Sequence, residues 1–183
     1  ISKSVDLNDL ENSAEDLPEP SETNEEPALN APRIPEWVEM RKYQEDAISE
    51  WELQGFRGVF DMATGTGKTY TALAAICRLS ETLGHNLAVV IVCPYQHLVE
   101  QWKEDIVAFG MKPIVCYSSS PQKNWRARVK NSVAGFRANA VDRFCIVTTN
   151  ATFETDFMRE QIGKLRGNCL IVVDEAHNFG AEK

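Results

Sequence analysis

The sequence predicts an α/β domain of doubly wound topology with a mostly parallel sheet, and three observations carry that prediction. Short runs rich in Val, Ile, Phe and Cys recur between residues 57 and 175, and each is continuously apolar rather than alternating, as strands covered on both faces are. Between successive runs lie stretches of helical length with apolar residues at helical spacing. One run leads through a glycine-rich turn directly into a helix: "VFDM", then "ATGTGKT", then "YTALAAIC" (residues 59–77).

Taken in chain order, residues 1–33 hold nine acids against Lys3 and Arg33, with no apolar periodicity. Such a segment buries too little apolar surface to offset the entropy of ordering it, so a disordered acidic linker is expected there. Because it carries nearly all of the chain's net charge of -8, overall charge argues neither for nor against a polyanionic partner. Residues 34–183 are expected to form one domain, since 43% hydrophobic residues suffice for one core of that size. Strands are predicted at 57–62, 87–93, 112–117, 143–149 and 168–175. Helices are predicted from Lys68 to about Leu83, Gln96 to about Phe109, Pro121 to about Asn139, and Glu154 to about Leu165. Ser120 and Pro121 read as an N-cap and first helical position, and Gly84 and Gly110 as stops.

The five cysteines are odd in number, widely spaced, and lack a CxxC pair or neighbouring histidines, so no structural metal is expected. Four of the five sit in or at the ends of strand-like apolar runs and read as small hydrophobes, which fits a reducing, intracellular setting. No run is long enough to cross a membrane, so none is expected as a partner. Ile1 in place of methionine leads us to expect an excerpt of a longer chain.

The chemistry concentrates in two places. Strand, glycine-rich turn and helix in that order form a phosphate-binding loop, whose inward amides and helix N-terminus meet phosphate oxygens. Gly65 and Gly67 let the backbone approach, Lys68 reaches the β- and γ-phosphates, and the Thr69 hydroxyl can ligate Mg²⁺. Thr64, Thr66 and Tyr70 complete the candidate nucleotide-binding set of this stretch. Met62 stands where the pattern has its first glycine, a position that ends the strand and need not touch phosphate. The second place is "LIVVDEAH", a strand end carrying two acids: Asp174 to hold Mg²⁺ and Glu175 as general base for the attacking water. Lys68 and Glu175 are the candidate catalytic residues.

"ATGTGKT" together with "DEAH" resembles the first RecA-like domain of superfamily 2 helicases and translocases, over about residues 38–183. The resemblance implies a P-loop NTPase of RecA-like fold that binds ATP and Mg²⁺ and couples hydrolysis to movement on nucleic acid. "RKYQEDAI" is similar to the Q motif, which gives Gln44 the adenine edge and lets Arg41 pack on the base. "VCPYQHLVEQW" resembles motif Ia and "IVTTNATF" motif Ib, implying nucleic-acid backbone contacts at Pro94, Tyr95, Gln96, Thr148, Thr149 and Asn150. His177 is expected to couple the nucleotide site to a second RecA-like domain in the parent chain, and without that domain's arginine finger this chain is expected to hydrolyse little. The loop, "RKYQ" and a Trp-ended motif Ia look closer to the DNA-acting branch, with type I and type III restriction subunits and excision-repair helicases, than to DEAD-box RNA helicases. Two other readings share these residues: an RNA helicase or sensor, and a nucleotide-responsive binding module without motor activity.

One cationic stretch stands apart. Residues 122–143 carry Lys123, Arg126, Arg128, Lys130, Arg137 and Arg143 against Asp142 alone. Trp125, Val129, Val133 and Phe136 fall on one helical face there and are predicted to pack on the sheet, which leaves the basic residues as a solvated side open to backbone contact.

Overall fold

A computed structural model describes residues 31–63 and 65–176. The elements run α1 (Lys42–Leu53), α2 (Lys68–Thr82), β1 (Leu87–Cys93), α3 (Gln96–Ala108), β2 (Pro113–Cys116), α4 (Trp125–Arg137), β3 (Arg143–Thr149), α5 (Asn150–Phe153), α6 (Asp156–Gly163) and β4 (Cys169–Val173). The four strands form one sheet in the order β2-β3-β1-β4, and every pairing is parallel. Val90 of β1 sits beside Ile146 on one flank and Ile171 on the other.

Burial on both faces of the sheet explains the continuous apolar runs. All seven residues of β1 are buried. Val89, Ile91 and Cys93 join one cluster with Leu73 and Ile76 of α2 and Val99, Trp102 and Ile106 of α3. Val90 and Val92 point the other way, into a second cluster with Trp125, Val129 and Val133 of α4 and Met158 of α6. A period of two along one strand thus feeds two layers of helix. The face of α4 holding Trp125, Val129, Val133 and Phe136 is the one that is buried, as its spacing predicts.

Chain reversals follow glycine chemistry at two points. Gly84 (φ 59°) and Gly110 (φ 83°) sit one residue past the C-caps of α2 and α3 in the left-handed region, where a side chain would be strained. Gly110 also lies against the segment leading into the domain: a Cβ there would stand 2.9 Å from the Ala31 carbonyl oxygen. Arg33 N–H donates to the Phe109 carbonyl at 2.9 Å, so residues 31–33, predicted as the end of the linker, pack on the C-terminus of α3. The rest of the predicted linker, residues 1–30, lies outside the described residues.

Three expectations are corrected. Residues 57–62 form no strand. Their apolar content is strand-like, but a strand exists only through pairing. A groove of about 550 Å³ separates Gly58–Met62 from Leu170–Ala176 of the β4 segment, and Val59 stays 82% exposed. The predicted helix at Pro121 begins instead at Trp125, because the Ser120 hydroxyl turns back to donate to the Val115 carbonyl (2.7 Å) and accepts from Gln122 N–H, closing a turn rather than capping a helix. The helix predicted over 154–165 is α6, shortened to Asp156–Gly163 and started by a Thr155 cap, and a separate short helix, α5, precedes it behind a Thr149 cap.

Among the described residues no helix is long and apolar enough to cross a membrane. The five cysteines are free, and burial pushes the Cys77, Cys116 and Cys145 thiols up to about 12, which leaves no thiolate for nucleophilic chemistry.

Candidate functional site

Parallel strands place their C-terminal ends on one edge of the sheet, where ligands of open α/β sheets bind. On that edge stand Pro94–Gln96 after β1, Thr149 and Asn150 after β3, and Asp174 and Glu175 after β4. The glycine-rich loop enters the same region from α2, whose N-cap is Gly67 at φ 84°. Gly65 (φ 80°) also occupies the left-handed region. No acid occupies the first turn of α2, so the partial positive charge of its N-terminus is left for an anion.

Lys68 Nζ lies 3.5 Å from Glu175 Oε1, an ion pair that joins the loop to the acidic strand end across the groove. Each side chain is 34% exposed, and a pair so wetted is worth about 1 kcal/mol or less. A polyphosphate with several charges can therefore exchange for it. Glu175 takes φ 49°, a left-handed conformation uncommon for a residue with a side chain, and it stores strain at the acid pair. Asp174 is fixed more firmly. Its Oδ1 accepts the Glu175 N–H at 3.0 Å, its Oδ2 accepts the Trp102 indole N–H at 2.8 Å, and its own N–H donates to the Val92 carbonyl at 2.8 Å.

The loop is held from α1 by two adjacent residues. Tyr43 donates its hydroxyl to the Thr66 carbonyl at 2.7 Å. Gln44, 5% exposed, donates through Nε2 to Thr71 Oγ1 (3.0 Å) and the Gly67 carbonyl (3.3 Å), while Oε1 accepts the Arg41 N–H (2.9 Å). Both donors of this amide are spent, one on the loop at Gly67 and one on Thr71 in the first turn of α2, so Gln44 braces the loop against α2 and presents no free donor to a base. Arg41 is the N-cap of α1, exposed, with its guanidinium donating to the Tyr43 hydroxyl at 3.2 Å. Tyr70 turns toward α3: its ring meets Trp37 and Phe109 edge-on, at 6.0 and 5.5 Å between centroids, and its hydroxyl faces the Asp105 carboxylate. Burial, with the Asp105 charge added, raises the Tyr70 hydroxyl above its ordinary value.

The candidate strand contacts divide into exposed and committed groups. Tyr95 and Gln96 are exposed, and the Tyr95 ring stacks on His97 at 5.6 Å with an 8° tilt. Pro94 is half-buried. Thr148 is buried with its hydroxyl donated to the Cys116 carbonyl at 2.8 Å, tying β3 to β2. Thr149 accepts from Thr152 N–H as the cap of α5. Asn150 Oδ1 is buried without a hydrogen-bond partner among the described residues, an acceptor left for a donor from outside. Thr64 and His177 lie outside the described residues.

Two residues of this site escape a reading of the sequence. Tyr43 adjoins Gln44 in "RKYQ", and that adjacency was its only signal. Trp102 reads as core by its spacing and is indeed 3% exposed, yet its one polar atom meets Asp174 from far along the chain.

The family model for the type III restriction enzyme res subunit matches residues 37–183. The chain is similar to the DNA 3'-5' translocase XPB2 of Sulfurisphaera tokodaii (strain DSM 16993 / JCM 10545 / NBRC 100140 / 7), at 37% identity over 79 residues that cover 43% of this chain and 16% of that protein. In fold it is similar to a nuclease-deletion mutant of the Type ISP restriction-modification enzyme LlaGI, solved in complex with a DNA substrate mimic. That likeness has a TM-score of 0.61 at 22% identity and covers 76% of this chain and 15% of that one. The chain thus spans about a sixth of the length of either protein.

Proposed function

Because the chain belongs to the family of the type III restriction enzyme res subunit, we propose that it is the ATP-binding domain of a DNA motor, in which the loop and the acid pair form one half of an ATPase site. The observation that carries this reading is the convergence of Lys68 with Glu175, and of Glu175 with the anchored Asp174, in one groove at the C-terminal edge of the sheet.

Each residue then has a task. The amides from Gly65 to Thr69 and the N-terminus of α2 bind the phosphates, and Lys68 leaves Glu175 to neutralise the β- and γ-oxygens. Released from Lys68, Glu175 orients the attacking water and takes its proton. Thr69 and Asp174 offer hydroxyl and carboxylate oxygens, the hard donors that suit Mg²⁺, and each oxygen of Asp174 keeps a lone pair after accepting one N–H. When bound, the metal supplies positive charge against that developing on the phosphate oxygens. Arg41 stands beside the loop to pack on the base, and Gln44 can read it only by exchanging one of its bonds to the loop or to Thr71. Thr64, Thr66 and Tyr70 complete the nucleotide set, with Tyr70 acting through α3. Pro94, Tyr95, Gln96 and Asn150 form the DNA edge, with Thr148 and Thr149 buried behind it and acting through the ends of β2 and α5; His177 couples to a second RecA-like domain, and the setting is intracellular.

DNA is favoured over RNA because the translocase and the restriction-modification enzyme similar to this chain are described with DNA. The test is ATP hydrolysis by the full-length protein with single-stranded DNA, duplex DNA or RNA added. We expect stimulation by DNA and its loss in Lys68→Ala; stimulation by RNA alone would overturn the DNA reading.

A further inference from the structure

The Trp102 indole is the one polar group of the α3 core face, and it is aimed at an acid of the candidate site. Trp102 is 3% exposed, lies two turns from the start of α3, and donates Nε1–H to Asp174 Oδ2 at 2.8 Å. A buried indole N–H needs an acceptor, but the core around it could have supplied a carbonyl; what it meets is a carboxylate in the groove. A charge-assisted bond of this length fixes the rotation of the carboxylate as well as its position.

The helix that carries the indole is itself anchored. Glu100, two residues before Trp102, accepts the Tyr117 hydroxyl at 2.6 Å and ties α3 to the end of β2. The Tyr70 ring meets Phe109 edge-on at 5.5 Å and ties the C-terminal end of α3 to α2, the helix that begins at Lys68. Val99 and Ile106 are fully buried on either side of Trp102. The indole N–H is thus presented from a helix anchored to β2 on one side and to α2 on the other, and α2 also lines the groove.

We propose that Trp102 is a positioning residue for Asp174: its indole N–H holds the carboxylate in the rotamer that leaves one lone pair on each oxygen for a hydrated divalent cation beside the loop. The inference rests on the reading of Asp174 as the Mg²⁺-holding acid. Partners that orient a metal-binding carboxylate change metal affinity about ten- to a hundredfold when removed. Because α3 also carries Tyr95 at its N-cap and Gln96 in its first turn, the same bond links the candidate DNA edge to the metal carboxylate through one rigid element.

Two measurements on the chain test this. In the first, Mg²⁺ is titrated against the chain with a fluorescent ATP analogue, comparing the wild type with Trp102→Phe, which keeps an aromatic ring and removes the donor. We expect apparent Mg²⁺ affinity to fall at least tenfold in a variant that still melts cooperatively, and an unchanged affinity would overturn the proposal. The second needs no variant: the indole N–H resonance of Trp102 in the wild type should shift when Mg²⁺ is added to the nucleotide-bound chain, and a resonance that stays in place would overturn it as well. Lys68→Ala separates the two levels. If wild type and Lys68→Ala bind nucleotide equally, the site reading fails and the Trp102 proposal falls with it. If only the wild type binds, and Trp102→Phe retains its Mg²⁺ affinity, the Trp102 proposal alone is wrong.

Discussion

Gly67 shows how narrowly one position of the loop is specified. It sits at φ 84°, and a Cβ there would come within 2.9 Å of Gln44 Nε2, the amide that braces the loop. Gly67→Ala therefore combines left-handed strain of about 1–2 kcal/mol with displacement of the brace. We expect a lower melting temperature and weaker nucleotide binding together, read by thermal unfolding and by titration. Glu100 offers a test in solution. The Tyr117 hydroxyl and then Lys103 hold its carboxyl below the ordinary value, while burial and then the bond to Glu100 and its charge push Tyr117 up to about 12. A carboxylate depressed in the folded state stabilises above its unfolded pKa, and that contribution is lost as pH falls through the folded value. Tyr117→Phe should let Glu100 titrate at higher pH, followed by NMR of its side-chain carbon, and should cost about 0.5–1.5 kcal/mol near neutrality. For the proposed base, Glu175→Gln should leave ATP binding in place while stopping turnover in the full-length protein; a normal rate would assign water activation elsewhere.

At the scale of elements, legibility tracked how local each signal was. The bounds of β1 and β3 fall where their apolar runs begin and end, and α2 and α3 start at Lys68 and Gln96 as predicted. The buried face of α4 was legible because four apolar residues at helical spacing state it outright. The stretch 57–62 was misread because composition reports burial and not pairing. The start of α4 was misread because a Ser-Pro pair serves a turn as readily as a cap. Gln44 reads as a base contact and Trp102 as core, but their bonds to Thr71 and Asp174 depend on which elements meet in three dimensions. The division on α4 itself yields a prediction. Phe136 packs edge-on against Phe144 at 5.6 Å and is buried, so Phe136→Ala should cost about 3–5 kcal/mol in urea unfolding. Lys130 on the exposed face should change stability by no more than about 0.5 kcal/mol when replaced by alanine.

Across the whole molecule, one topological fact organises the site. Four parallel strands send the acid pair and both candidate DNA segments to a single edge, and α2 brings the loop to it. Trp102, Gln44 and Tyr43 then tie that edge to α3 and α1, so the loop and the acids are held before any ligand arrives. Preorganisation of this kind predicts nucleotide binding by the chain itself, without turnover. The central claim is accordingly tested most directly by calorimetric titration of the chain with ATP and Mg²⁺, alongside Lys68→Ala. Saturable binding at one site, abolished in the variant, is the predicted result. Equal binding by both proteins, or none by the wild type, would contradict the assignment of this groove as an ATP site.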